Sequence, residues 1–331
     1  MSIARVPITL AISEYDHVED LVSGRIPVEG VELTPLRMSV EEIFQRFSRA
    51  REWEASEFSF AQFVHLRSRG DDSLVGIPVF PSRVFRHSAI FVRAGGRIAA
   101  PEDLAGARVG VPEWAQTAGV YARGVLADEY GVDLRSIDWV QAGTNEPGRT
   151  DAVAVELPDG FRYERRPDSS LDAMLLSGEV DAVVTAHPPR SFERRDSPIV
   201  RLIKDHAAVE RRSWERTGIF PIMHVIVLRR DVHDAHPWVA ANLLRAFEAA
   251  KAAGVRRLRE LTASRVALPW ASEQLDALAP LFGDDWWPYG VEANRTTLEA
   301  FMGWSVDQGV AAAAVPVEQL FAPQTLIRSR V

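Results

Sequence analysis

Strand and helix signals alternate along this sequence, and that alternation constrains its architecture more than any other feature. Val6–Ile12 reads as a strand. Ser39-Val40-Glu41-Glu42 is a capping box, in which the Ser39 oxygen accepts from the Glu42 amide and the Glu42 carboxylate reaches back. Val40, Ile43, Phe44 and Phe47 then fall at i, i+3, i+4 and i+7, one apolar helix face. Leu74–Phe80, Ala89–Val92 and Arg108–Val111 read as strands. A helix opens near Gln116-Thr117 and runs to Tyr130, where Gly131 stops it. Ser169-Ser170 caps a short helix with Leu171, Met174 and Leu175 inward; Gly178 ends it, and Asp181–Thr185 follows as a strand. Ile222–Leu228 is a continuous apolar run with β-branched residues, hence a buried strand. Three more helices start near Pro237, Ser272 and Asn294. Their inward faces are Val239, Leu243, Leu244 and Phe247; Leu275, Leu278 and Leu281; and Leu298, Phe301 and Met302. Pro316–Val331 reads as a surface strap. The pattern is that of an α/β protein with mostly parallel sheets.

A chain of 331 residues has room for two domains. Two short stretches read as crossovers, Arg93–Ala99 with its Gly95-Gly96 pair, and Thr217–Pro221. Hinges near 93–98 and 217–223 give a discontinuous first lobe, 1–95 with 222–331, and a second lobe, 96–221.

Cysteine is absent, which removes disulfides, thiolate metal sites and a Cys nucleophile together. Lysine occurs only as Lys204 and Lys251, so Schiff-base chemistry has few candidates. A net charge of -8 argues against nucleic acid or an anionic membrane as partner. It leaves room for a small anion in a cleft lined by arginines. No stretch approaches the length of a membrane helix. Val6–Ile12 is followed at once by Glu14 and Asp16, so it reads as a strand rather than a signal core, and the expected location is the cytoplasm. There is no dinucleotide fingerprint, P-loop, nucleophile elbow or His-Glu-x-x-His motif. His233 and His236 form the one close histidine pair and read as a helix start, so no metal site is expected.

Several segments, taken in order, resemble one family. They are Ser13-Glu14-Tyr15-Asp16 followed by Gly24-Arg25, Glu41-Glu42-Ile43-Phe44, Glu57-Phe58-Ser59, and the run Ile77–Arg83 followed by Phe85-Arg86-His87-Ser88. Arg108–Glu113, Asp128–Val132, Glu146-Pro147-Gly148-Arg149, Gly218–His224, Trp287–Gly290 and Asn294-Arg295 complete the set. Together they resemble the 4,5-dihydroxyphthalate decarboxylases over nearly the whole chain. The resemblance implies a two-lobed type II periplasmic-binding-protein-like fold with a ligand cleft between the lobes. It also implies decarboxylation of a hydroxylated aromatic acid without a cofactor. The partner is then a small aromatic carboxylate, with no nucleic acid or membrane, and self-association is open.

Direct loss of CO2 from a hydroxybenzoate would leave an aryl anion. The easier path withdraws the phenolic proton, protonates the ring carbon that bears the carboxylate, and releases CO2 as aromaticity returns. Such a site needs an anion clamp and proton-transfer groups. Arg83 and Arg86 follow a strand, and Arg149 sits in a Gly/Pro turn of the other lobe; a planar guanidinium suits a carboxylate. The helix start at Thr117 offers backbone amides to an anion. His87 and His224 are the proton-transfer candidates, grouped with Arg86 as catalytic. Ser13, Tyr15, Asp16, Glu57, Ser59, Phe80, Trp114 and His187 are expected to contact the substrate. Two other functions fit the same fold: a solute-binding protein for an aromatic carboxylate, and a different cofactor-free lyase or dehydratase.

Overall fold

The computed structural model describes residues 5–260, 262 and 267–326. The chain begins with β1 (Val6–Ile12), α1 (Glu19–Val22), β2 (Val31–Arg37), α2 (Val40–Ala50), β3 (Ala55–Ser59), α3 (Phe60–Ser68) and β4 (Leu74–Ile77). It then builds β5 (Ile90–Arg93), β6 (Arg108–Val111), α4 (Thr117–Tyr130), β7 (Asp138–Gly143), β8 (Arg162–Ser170), α5 (Leu171–Ser177), β9 (Ala182–Val184), β10 (Ile199–Arg201) and α6 (His206–Thr217). It ends with β11 (His224–Arg229), α7 (Arg230–Ala235), α8 (Trp238–Leu258), α9 (Ala271–Phe282) and α10 (Arg295–Asp307).

Local chemistry sets the helix ends. The Ser39 hydroxyl accepts from the Glu42 amide at 3.3 Å and opens α2. Ser170 does the same for α5 through the Ala173 amide. Gly131 takes φ of 63°, a left-handed residue that closes α4 at little steric cost.

The strands form two sheets, ordered β2-β1-β3-β11-β4 and β10-β5-β9-β6-β7-β8. Both are mixed rather than mostly parallel. β11 runs antiparallel to β3 and β4, and β5 runs antiparallel to β9 and β10. These are the strands through which the chain enters each sheet from the other, so they arrive from the opposite end. Because β5 already belongs to the second sheet, the first crossing lies in 78–89. That is ahead of the glycine pair that marked 93–98. The return runs from the end of α6 to β11. The two crossings lie side by side: the Met223 amide donates to Ser82 O at 2.8 Å, and Arg83 and Ile222 form an antiparallel bridge.

Two further expectations are corrected. The described part of the tail is anchored in the core rather than lying wholly on the surface: Val317, Leu320, Phe321 and Ala322 are buried, Phe321 is bridged to Gly76 of β4, and the residues between them stay exposed. Residues 327–331 of that expectation lie outside the described residues. The face of α9 built from Leu275, Leu278 and Leu281 is only half covered, because its neighbour is the end of α6, where Phe282 stacks on Trp214. The α10 face is buried as its spacing predicts, and α4 packs between α10 and α3.

Candidate active site

A cleft of about 570 Å³ separates the two sheets and their helices. One wall is α2, whose apolar stripe divides. Ile43 and Phe47 enter the core at 0% exposure, while Val40 and Phe44 border the cleft with Glu41, Gln45, Ser48 and Arg49. Ser59, Gln62, Met223 and His224 form the base, and Arg86 reaches in from the first crossing. Glu113, the start of α4, the 148–152 turn, Ala186 and His187 face them.

Strand pairing assembles the candidate proton-transfer group. β3 and β11 run antiparallel with Ser59 opposite His224. The His224 Nδ1 lies 2.5 Å from Glu57 Oε1, and the Tyr15 hydroxyl donates to the same oxygen at 2.5 Å. The Ser13 amide donates to Glu57 Oε2 at 2.8 Å. Glu57 is 0% exposed. With Nδ1 engaged by the carboxylate, Nε2 is the ring nitrogen left for chemistry, and Phe44 meets the ring edge-on at 4.9 Å. Burial, and then the Glu57 charge, hold the Tyr15 phenol well above its ordinary range, so it keeps its proton and acts as a donor.

Of the three candidate arginines, two border the cleft and one does not. The Arg86 guanidinium donates to the Met223 thioether, at 2.9 Å and 3.1 Å. Among the described residues no carboxylate lies within ion-pair distance of it. Burial lowers its guanidinium to about 10. Arg149 also borders the cleft but donates to Glu113, with Nε at 2.7 Å. Burial raises the Glu113 carboxyl, while Arg149 pulls it the other way. Arg83 lies outside the cleft lining. Its guanidinium is caged by Phe220 O, Pro288 O and Asn294 Oδ1, where it ties the return crossing to the start of α10.

The first turn of α4 points at the cleft with no side-chain cap from Gln116, so its leading amides are open to an anion. Thr117 Oγ1 meets Ser59 Oγ at 3.1 Å and accepts from the Ala61 amide at 3.1 Å, joining the two units at the cleft base. At the mouth, His187 Nε2 lies 3.0 Å from Glu41 Oε1.

The structure does not bring the remaining expected residues into the cleft. His87 turns into a separate chamber of about 50 Å³, its Nε2 3.6 Å from Glu129. Trp114 is 1% exposed, packs edge-on against Trp139 and lies under the Arg123 guanidinium. Phe80 is buried against Phe321. Asp16 lies in a short 3-10 turn beside α8. Ser13 and Tyr15 lie behind the cleft wall, Ser13 on Glu57 and Tyr15 on both Glu57 and His224. Sequence reasoning passed over Gln62, Glu113 and Met223. Gln62 carried a readable signal: Ser59-Phe60-Ala61-Gln62 has capping-box spacing, and Ser59 does accept from the Gln62 amide. Among the described residues no three His, Asp or Glu side chains cluster as metal ligands.

No protein-family model matches the sequence. The 4,5-dihydroxyphthalate decarboxylase of Comamonas testosteroni is 33% identical over 324 residues, covering 98% of each chain. The chain belongs to the 4,5-dihydroxyphthalate decarboxylase family. The protein of that name from Pseudomonas putida is 32% identical over 202 residues, which span 61% of this chain and 78% of that one. Among solved structures, the periplasmic aliphatic sulphonate binding protein SsuA of Escherichia coli superposes with a TM-score of 0.56 at 12% identity, covering 97% of this chain and 99% of that one. The desulfurization enzyme DSZB superposes with 0.51 at 16% identity, covering 97% and 98%. The fold is therefore periplasmic-binding-protein-like, as the resemblance implied. Binding proteins and an enzyme share it, so the fold alone selects neither. In this member of the decarboxylase family, segments that carried the resemblance lie on both sides of the cleft: Glu41, Arg86 and His224, with Glu57 behind His224, on one, Glu113 and Arg149 on the other. Among the described residues no helix is long and apolar enough to cross a membrane.

Proposed function

We propose that this protein removes one carboxylate from 4,5-dihydroxyphthalate, or a close hydroxylated analogue, giving protocatechuate and CO2. One observation carries the reading. The same cleft holds an imidazole backed by a buried carboxylate and a half-buried arginine with no carboxylate partner among the described residues. Arg86 and the leading amides of α4 hold the two substrate carboxylates. Ser59, Thr117, Arg149 and His187 are further ligand contacts. His224 Nε2 withdraws the phenolic proton para to the departing carboxylate, and Glu57 stabilises the imidazolium that forms. The phenolate electrons move to the para carbon, which takes a proton from the cleft. The carbon–carboxylate bond then breaks, its electrons restore the ring, and CO2 leaves. The route needs only proton transfer and charge stabilisation. A cytoplasmic location goes with this reading, and fractionation of expressing cells checks it.

The test is turnover. Purified, EDTA-treated protein with 4,5-dihydroxyphthalate is expected to release protocatechuate and CO2 in equal amounts, and His224→Ala to lower kcat by ~10²–10⁴-fold. Tight binding without turnover would replace the enzyme reading with a solute-binding one. Neither binding nor turnover would point to a different lyase.

A further inference from the structure

Glu57 is a fully buried carboxylate, and among the described residues no arginine or lysine pairs with it. Such a group persists only when donors surround it. It has three: the Ser13 amide on Oε2, and the Tyr15 hydroxyl and His224 Nδ1 on Oε1. The last two share one oxygen. The Tyr15 hydroxyl also lies 3.4 Å from Nδ1, so the three polar atoms form one tight cluster. Tyr15 is not part of the cleft lining, so it does not reach the substrate.

We propose that Tyr15 is a positioning residue, whose hydroxyl shares Glu57 Oε1 with the imidazole and so sets the orientation and proton affinity of His224. The proposal rests on the reading of His224 as the base. The reasoning is electrostatic. A hydrogen bond draws charge from the oxygen that accepts it. Charge held by Tyr15 is charge that the imidazolium does not feel. Without the hydroxyl, Oε1 serves the imidazole alone and the charged ring is favoured. Tyr15 suits this role because it stays protonated. It is also anchored from two sides, since Ser82 on the first crossing faces the same phenol oxygen and His17 packs on its ring at 5.5 Å. Other charged groups border the cleft around His224: Glu41 and Arg49 on α2, Arg86 on the crossing, and Glu113, Arg149, Asp151 and His187 opposite. Tyr15→Phe leaves all of them in place, so a change in the ring's behaviour reports the shared oxygen.

The experiment follows the His224 ring by NMR titration in the full chain, alongside the pH profile of kcat/KM. In Tyr15→Phe the ring titration and the acidic limb both move to higher pH, by about half a unit to one unit, with KM nearly unchanged. That amounts to a ~3–10-fold loss of kcat/KM below the limb and recovery above it. Replacing Tyr15 by 3-fluorotyrosine, a stronger donor of the same shape, moves both to lower pH and keeps the test open should the phenylalanine variant fail to fold. An unmoved ring titration overturns the proposal, as does a rise in KM alone. The titration needs no turnover, so it decides the role of Tyr15 even if 4,5-dihydroxyphthalate proves not to be the substrate.

Discussion

The His17 ring is wedged between Tyr15 and Trp287, and among the described residues its buried Nε2 has no hydrogen-bond partner. Burial, with a smaller push from Lys251, moves the imidazole down from the ordinary 6.5 to about 4. Between those two values the unfolded chain takes up a proton that the folded chain refuses. Stability therefore falls as pH drops through that window, by an amount on the order of 3 kcal/mol, and is unaffected by this group above it. Replacing His17 by Gln removes that slope. Urea unfolding at pH 7 and pH 5 measures it: the wild type loses more stability than the variant over that interval, and equal losses would reject the assignment. Arg86 and Arg83 make the complementary point. Both are lowered to about 10 by burial, yet one faces the cleft and the other is caged by backbone carbonyls. A shifted group marks a buried one, and only its partners tell whether it is free for a ligand.

At the scale of elements, α4 connects the second unit to the first. Its N-terminus lines the cleft, and its body packs on α10, where Trp304 donates to Asp128 at 2.8 Å. Gly124 lets the indole lie directly on the helix backbone, and a Cβ there would overlap Trp304. Gly124→Ala gains up to about 1 kcal/mol of helix propensity. The overlap costs roughly 1–3 kcal/mol, because the indole is almost buried and anchored by Asp128. Net destabilisation is expected, read as a lower urea midpoint. A stabilised variant would mean that α10 can shift away from α4 freely.

For the whole molecule, we propose that the hinge lies at the paired crossings, where Ser82–Arg83 run beside Ile222–Met223. Across the cleft mouth stands the Glu41–His187 pair, in which both side chains are more than half exposed. A pair of that kind contributes about 0–1 kcal/mol, too little to hold the units together by itself. In the function proposed above, the ligand supplies the closing contact, its carboxylates joining Arg86 on one side to the α4 amides on the other. Small-angle scattering should give a smaller radius of gyration with saturating substrate or product than without. An unchanged radius would place the cleft in one rigid shape.

The elements that the sequence determined by itself are those set by local contacts. β1, β6 and α4 begin and end where their periodicity and capping residues place them, because a cap or an alternating face acts within a few residues. Residue types for the site were legible too: Glu57, Arg86, Arg149 and His224 all stood among the candidates. Their arrangement was not. Glu57 and His224 are 167 residues apart and meet because β11 inserts beside β3, a pairing that no local pattern encodes. Arg83, Arg86 and His87 sit on an irregular crossing with no period to say which way each points. Only the packing of that crossing against α4, α6 and α10 sends Arg83 to a carbonyl cage, His87 to its chamber and Arg86 to the cleft. Side-chain direction outside regular elements is a property of tertiary contacts, and there the choice between structural and functional residues was made.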